Sequence, residues 1–174
     1  MQIDRIQLRN FRNYAALELC PCPGVNVLAG ENAQGKTNVL EAVYLSCTGR
    51  SHRTRQDISW GADFAGVHVY ATRRDGSHEV ELILPAAGKR ILKIAGQKAS
   101  RSGELLGHVT GVLFSPEDLS LIKDGPGERR RFLDIAVSQL RPAYYYALQR
   151  YSRALKQRNE LLRTQATYAL DEFD

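Results

Sequence analysis

The sequence predicts an α/β fold in which a phosphate-binding loop, an antiparallel β lobe and a helical C-terminal part follow one another. Residues 30–37 spell GENAQGKT and match G-x-x-x-x-G-K-[ST], the pattern of loops that bind nucleotide phosphates. Residues 67–84 contain two apolar–polar runs around a turn sequence, and residues 128–169 have helical character. We therefore expect a nucleotide-binding head with a β lobe in residues 1–110 and a helical subdomain, cut short, in residues 111–174.

Three short segments before the loop have strand character. Residues 2–9 alternate imperfectly between apolar and polar side chains, which predicts a strand near one edge of a sheet. Residues 17–19 predict a returning strand that ends before Pro21. Residues 25–29, VNVLA, form a mostly apolar run that predicts a strand leading directly into the loop.

The loop needs glycine because several backbone N–H groups must approach phosphate oxygens without a Cβ in the way. A helix is predicted directly after Gly35, since apolar residues between 39 and 47 fall at helical spacing, and its N-terminal dipole would favour the same anion. Lys36 would reach the β- and γ-phosphates and stabilise their charge during catalysis, and the Thr37 hydroxyl would bind Mg²⁺. The predicted nucleotide contacts of the loop are Gly30, Glu31, Asn32, Ala33, Gln34, Gly35, Lys36, Thr37 and Asn38.

A polar stretch with clustered basic residues, 48–61, follows the helix. It is either a solvated loop or a second loop that faces an anion, in which Arg50 and Arg53 would contact the nucleotide or DNA. The sequence leaves both interpretations open.

The β lobe is predicted from a hairpin. Residues 67–72 and 79–84 flank Asp75-Gly76, which is the strongest short turn signal in the chain. Residues 90–95 predict the next strand of an antiparallel meander. Residues 112–114, VLF, predict a short buried strand before Ser115-Pro116.

Two helices are predicted at the end, over residues 128–140 and from Pro142 to about Ala169. The second has a narrow apolar stripe, from Tyr144 to Leu162, and a basic face that is either solvated or able to neutralise DNA phosphates. The basic residues predicted at a DNA or subunit interface in this part are Arg129, Arg130, Arg131, Arg153 and Lys156.

Composition limits the classes of protein further. The 174 residues carry a formal charge of +5, which suits an anionic partner, and three cysteines, which do not form a disulfide framework. The sequence has no apolar stretch of about 20 residues and no signal-peptide pattern, so we expect a cytoplasmic protein that does not contact a membrane.

One part of a hydrolytic site is missing. Phosphate-loop enzymes that hydrolyse the nucleotide need a second acidic element, usually an Asp at the end of an apolar strand. No run of four apolar residues followed by Asp occurs in the sequence. We expect the chain to bind a nucleoside triphosphate without carrying all the hydrolytic machinery.

Longer stretches resemble a known family. The segments RIQLRNFRNY and GVNVLAGENAQGKTNVLEAVYLSCTGRSHR are similar to RecF, the bacterial DNA-gap repair ATPases, and so are FSPEDLSLIKDGPGERRRFLD and YYYALQRYSRALKQRNELL. The resemblance covers nearly the whole chain. It implies the ATPase head of ABC type, related to structural-maintenance-of-chromosomes (SMC) heads, with Arg12 and Asn13 of NFRNY near the nucleotide.

The resemblance also implies function and partners. RecF-type proteins bind ATP and Mg²⁺, pair face to face as ATP-loaded homodimers on double-stranded DNA near single-strand gaps, and act with RecO and RecR to load RecA. Chains of this type continue through a signature motif and an Asp-Asp strand end, which this sequence lacks. The chain alone is therefore expected to bind ATP, and the complete dimer to be a weak DNA-stimulated ATPase.

Two other functions fit the loop. A small-molecule or nucleotide kinase shares it, and the arginines after Gly125 would then belong to a mobile lid. The other alternative is a nucleotide-gated SMC-like scaffold, in which turnover is incidental.

Overall fold

The computed structural model describes residues 1–51, 57–123 and 125–164. Two single 3₁₀ turns, at Ser102–Leu105 and Pro116–Leu119, lie among the regular elements. The strands are β1 (Gln2–Phe11), β2 (Tyr14–Leu19), β3 (Phe64–Arg73), β4 (Gly76–Pro85), β5 (Ile91–Ile94) and β6 (Gln97–Lys98), and the helices are α1 (Lys36–Thr48), α2 (Ser120–Lys123), α3 (Pro126–Leu140) and α4 (Pro142–Arg163).

The strands form one antiparallel sheet in the order β2-β1-β3-β4-β5-β6. The strand predicted over residues 2–9 is present as β1, one position in from the β2 edge. A bulge between Ile3 and Arg5 shifts its register against β3. The predicted β lobe is thus present, and β1 and β2 extend it on one side.

The hairpin between β3 and β4 differs from the prediction by one residue. Arg73 pairs with Gly76, so the tip is Arg74-Asp75, and Gly76 opens β4 with φ 126°. Asp75 is held at the tip because its Oδ1 lies 3.3 Å from Nε of Arg73 and 3.1 Å from Nε2 of His78. The prediction of Asp75-Gly76 as the turn was therefore wrong by one position.

The core lies between one face of the sheet and α1. Alternate residues of the strands point to this face, as a period of two requires. Burying these apolar side chains is the main force that holds the helix on the sheet. The buried apolar residues are Ile6, Leu8 and Phe11 of β1, Ala65, Val67, Val69 and Ala71 of β3, Val80 and Leu82 of β4, Leu92 of β5, Val39, Ala42, Leu45 and Cys47 of α1, and Leu105, Leu106 and Val109 beyond the sheet.

The prediction of strands over residues 25–29 and 112–114 was wrong. Both segments lack regular structure, and Val25 and Val112 are 91% and 78% exposed. An apolar run becomes a strand when another strand pairs with it, because its N–H and C=O groups need partners. In the part of the chain that the structure describes, no strand pairs with either segment.

The helical end consists of two helices joined at Arg141. Pro142 occupies the first turn of α4, where a missing N–H costs nothing. Gly103, in the 3₁₀ turn after the sheet, packs so closely on α4 that a Cβ there would lie 2.7 Å from the Tyr145 ring. The predicted stretch of this helix beyond residue 164 lies outside the described residues. Among the described helices, none is long and apolar enough to cross a bilayer.

Candidate nucleotide-binding site

The loop before α1 follows the path that a phosphate cradle requires. Gly30, Ala33 and Gly35 have φ values of 146°, 65° and 98°, so the backbone turns repeatedly through left-handed conformations. Successive N–H groups in such a chain point into one concavity, which attracts anions. Glycine at two of these positions avoids most of the strain that a Cβ would cause.

Helix α1 begins directly at the end of this loop. Gly35 is its N-cap residue, and its carbonyl oxygen accepts hydrogen bonds from N of Asn38 at 2.7 Å and from N of Val39 at 3.2 Å. The first N–H groups of α1 and the positive end of its dipole therefore face the loop. Buried Val39, Ala42 and Leu45 pack the helix on the sheet, and this packing holds the start of α1 at the end of the loop.

Lys36 crosses the loop. Its Nζ donates to the carbonyl oxygens of Gly30 at 2.7 Å and of Glu31 at 2.6 Å. The ammonium group is thus placed at the mouth of the loop, where a phosphate would sit. Thr37 follows with an exposed side chain, and its role as a Mg²⁺ ligand stays a prediction.

The turn between β1 and β2 touches the phosphate loop. Nδ2 of Asn38 donates to Oδ1 of Asn13 at 2.7 Å, and the Tyr14 hydroxyl donates to the carbonyl of Gln34 at 3.4 Å. A Cβ added to Gly35 would lie 2.7 Å from the Asn13 amide and 2.8 Å from the Tyr14 hydroxyl. The turn thus lies against the end of the loop, and the structure places Asn13 beside the candidate site.

Arg12 lies deeper than the sequence suggested. Its Nε is 2.9 Å from Oε2 of Glu41, and its Nη2 is 3.0 Å from Oδ1 of Asp57 and 3.5 Å from Oγ of Ser51. Two of the three guanidinium nitrogens therefore face carboxylates of this chain. The predicted nucleotide contact of Arg12 stays a prediction.

Sequence reasoning missed Glu41 and Asp57. Burial raises the pKa of the Asp57 carboxyl, although the neighbouring Arg12 and Ser51 act in the opposite direction. Glu41 is an acidic residue that does not fall on the apolar stripe predicted for α1, so no local pattern predicted that it is buried. Such a side chain is buried only when a cation pairs with it.

The basic residues predicted to contact DNA or a second subunit do not lie on one common surface. Arg50, Arg130 and Arg131 line one groove of about 650 Å³ between the end of α1, α3 and α4. Arg129 is not part of this lining and donates through Nη1 to the carbonyl of Leu121 at 3.3 Å. Arg153 lines a second hollow with Arg101 and Arg150, Lys156 is exposed on α4, and Arg53 lies outside the described residues.

The groove also has apolar walls. Leu148, Tyr151 and Leu155 of the predicted apolar stripe of α4 line it, together with Leu106. Asp134 lines it as well, and its Oδ1 accepts a hydrogen bond from the Tyr144 hydroxyl at 2.6 Å. In the described part of the chain, no group of three or more His, Cys, Asp or Glu side chains is arranged to hold a metal ion.

Comparison with known proteins gives the family. A family model for an AAA domain matches residues 5–166. The chain is 45% identical over 166 residues to the DNA replication and repair protein RecF of Lacticaseibacillus casei, and this match covers 94% of the chain and 44% of that protein. RecF of Acetivibrio thermocellus is 44% identical, with 94% of the chain and 45% of that protein covered. The chain thus spans less than half the length of these relatives.

Solved structures agree with the sequences. A structure of the recombination mediator protein RecF-ATPrS in the RecFOR pathway superposes with a TM-score of 0.88 at 34% identity, covering 99% of this chain and 49% of that one. The corresponding RecF-ATP structure gives a TM-score of 0.86 at 36% identity, with 94% of this chain and 45% of that one covered. An SMC ATPase at 21% identity shares the fold, with a TM-score of 0.63, and covers 77% of this chain and 98% of that one. The predicted fold class, an ATPase head of ABC type, is confirmed.

Proposed function

Because this chain belongs to the RecF family of AAA-domain proteins, we propose that it is the nucleotide-binding part of a DNA replication and repair ATPase. The observation that carries the proposal is the loop of residues 30–37, in which left-handed backbone turns, the start of α1 and the Lys36 ammonium converge on one place. This arrangement suits the triphosphate of ATP.

Each part of the site has a proposed role. Backbone N–H groups between Gly30 and Gly35 would hold phosphate oxygens, and Lys36 would exchange its carbonyl partners for the β- and γ-phosphates. The Thr37 hydroxyl would hold Mg²⁺, which fits the exposed oxygen at the first turn of α1. When bound, Mg²⁺ would neutralise charge on the β- and γ-phosphates. Asn13 would limit the site on the side of the β1–β2 turn.

We propose that this chain binds ATP without completing hydrolysis. The described strands are all antiparallel, and none of them ends at an Asp beside the loop. The second acidic element of phosphate-loop hydrolases therefore has no equivalent among the described residues. We also propose that the chain divides into a nucleotide-binding head over 1–110 and a helical subdomain from 111, and the two long helices α3 and α4 after this boundary support the division.

For the complete protein that carries this sequence, we also propose ATP-dependent pairing on DNA. Two ATP-loaded copies would pair on double-stranded DNA near single-strand gaps, and with RecO and RecR they would help to load RecA. The similarity to RecF relatives supports this, and so does the formal charge of +5. We propose the groove of Arg50, Arg130 and Arg131 as the described surface best suited to DNA phosphates.

Analytical ultracentrifugation of the complete protein tests the proposal. With ATP–Mg²⁺ and a gapped duplex, the protein should sediment as a DNA-bound dimer, and removal of ATP should return it to the monomer. The Lys36→Met variant should stay monomeric under both conditions, whereas Lys98→Met, which alters an exposed lysine of β6, should behave as wild type. A protein that neither dimerises nor binds DNA with ATP would contradict the proposal.

A further inference from the structure

Three charged side chains meet behind the phosphate loop. Arg12 comes from the β1–β2 turn, Glu41 from α1, and Asp57 from the chain before β3. The side chains of Arg12 and Glu41 are 10% and 2% exposed. Nε of Arg12 lies 2.9 Å from Glu41, and Nη2 lies 3.0 Å from Asp57. One guanidinium group therefore joins three separate segments inside the protein.

The backbone of Arg12 is held as well. Its φ of 53° is unusual for a residue with a Cβ, and such a conformation persists only when its surroundings impose it. N of Arg12 donates to the carbonyl of Asp57 at 2.9 Å, and its own carbonyl accepts from Oγ of Ser59 at 2.6 Å. The position of this turn is thus determined from several sides.

The next two residues of the same turn contact the nucleotide site. Asn13 accepts a hydrogen bond from Asn38 of α1, and Tyr14 donates to the carbonyl of Gln34 in the loop. Asn13 and Tyr14 also fill the space around Gly35, where even one Cβ would not fit. A shift of the turn would therefore change the walls of the loop directly.

We propose that Glu41 is a positioning residue for ATP binding, which acts through Arg12 to hold the Asn13 turn against the phosphate loop. This inference rests on the proposed function. The nearly complete burial of the Glu41 carboxylate supports it, because a buried carboxylate is costly unless a cation pairs with it. A leucine of similar volume would serve the packing of α1 at lower cost, so the carboxylate is kept for its charge, and the guanidinium of Arg12 lies 2.9 Å from it.

A double-mutant cycle in the complete protein tests the inference. ATP affinity is measured by calorimetry for wild type, Glu41→Gln, Asn13→Ala and the double variant, at a temperature where circular dichroism shows all four to be folded. Glu41→Gln should weaken ATP binding roughly tenfold, in the range of other residues that orient a binding group. In the Asn13→Ala background the same change should have a clearly smaller effect, because the turn that Glu41 positions has lost its contact with Asn38 and keeps only that of Tyr14.

The matched control is Glu81→Gln, which removes the carboxylate that lies 2.9 Å from Lys93 on the sheet, and it should leave ATP affinity unchanged. Equal, additive effects of Glu41→Gln in both backgrounds would overturn the inference, since a general structural role predicts additivity. If Glu41→Gln does not fold, Glu41→Asp, which keeps the charge and shortens its reach, takes its place in the cycle with the same criteria. Wild type that binds no ATP would overturn the proposed function and this inference together, whereas normal binding with additive effects overturns only this inference.

Discussion

Oδ1 of Asn13 lies 2.7 Å from Nδ2 of Asn38, so the turn between the first two strands is bonded to the first turn of the helix that follows the phosphate loop. This contact joins two segments that are 25 residues apart in sequence. It gives the loop a side wall made by a different part of the chain. The geometry of the loop is therefore a property of the folded head, and not of the GENAQGKT segment alone.

Gly35→Ala tests how closely this wall fits. Gly35 has φ 98°, and an added Cβ would lie 2.7 Å from the Asn13 amide, so the variant should lose at least tenfold in ATP affinity. Gly61→Ala is the control, because Gly61 also has a left-handed φ, of 76°, but open space around it. Calorimetric titration with ATP–Mg²⁺ measures both. Equal affinities for Gly35→Ala and Gly61→Ala would show that the close approach does not matter.

The cysteines should differ sharply in reactivity. Cys20 and Cys22 are exposed, whereas Cys47 is buried under the sheet, and burial raises the pKa of its thiol to about 12. Since the thiolate is the reactive form, titration of the native protein with a thiol reagent at pH 8 should show two fast thiols, and the third only after denaturation. The Cys47→Ala variant should keep both fast thiols. Three fast thiols in the native protein would contradict the burial of Cys47.

Stability should fall between neutral and mildly acidic pH because of a histidine pair. Nδ1 of His78, on β4, lies 3.1 Å from Nδ1 of His108, which stands beyond the sheet. Burial, and then the charges of His78 and Arg73, lower the pKa of His108, although Asp75 raises it. The folded state therefore binds fewer protons than the unfolded chain. The contribution of His108 to the free energy of unfolding is therefore fully present above the ordinary histidine pKa of 6.5. This contribution is lost as the pH falls below that value and through the lowered pKa of the folded state.

Thermal unfolding of the wild type and His108→Gln between pH 8 and pH 5.5 measures this effect. The melting temperature of the wild type should decrease as the pH falls, and the decrease should be smaller for His108→Gln, which has no titrating ring. Gln97→Ala, an exposed change on β6, should keep the wild-type pH dependence. A wild type whose melting temperature rises on acidification over this range would contradict the assigned sign.

If the groove of Arg50, Arg130 and Arg131 binds DNA, an arginine that lines it should contribute more to DNA binding than a nearby arginine that does not. Arg131 lines the groove, whereas Arg129, two residues away on the same helix, bonds to the carbonyl of Leu121. Arg131→Ala in the complete protein should weaken ATP-dependent DNA binding and reduce the salt dependence by about one phosphate contact, whereas Arg129→Ala should change it little. Fluorescence anisotropy with a labelled gapped duplex over a range of salt concentrations measures both. A larger loss of DNA binding for Arg129→Ala than for Arg131→Ala would contradict the proposal that the groove binds DNA.

Much of the fold could be predicted from local patterns, because the residues of one segment are enough to indicate its secondary structure. The hairpin of β3 and β4 and the strand β1 each have an alternation that can be read from one segment, and the helix after Gly35 begins where the loop motif places it. The position of the hairpin tip was wrong by one residue, since pairing of Arg73 with Gly76 and the contacts of Asp75 decide it. Periodicity does not contain that information.

The errors were larger where a segment depends on a partner. Residues 25–29 and 112–114 are apolar enough for strands, but in the described chain no strand pairs with them. In the site, the structure brings Lys36 and Gly35 of the motif close to Asn13, which the resemblance suggested, and their nucleotide contacts stay predictions. The ion pairs of Arg12 with Glu41 and Asp57 depend on residues 29 and 45 positions away. Such long-range contacts follow from tertiary packing, which no local pattern encodes.

Calorimetric titration of this chain with ATP–Mg²⁺ measures whether the loop at residues 30–37 binds ATP. Lys36→Ala removes the ammonium that lies 2.7 Å from the Gly30 carbonyl, and Lys98→Ala removes an exposed one on β6. We expect saturable binding to wild type and Lys98→Ala, and a loss of at least tenfold in affinity for Lys36→Ala. Equal affinities for Lys36→Ala and wild type would contradict this expectation.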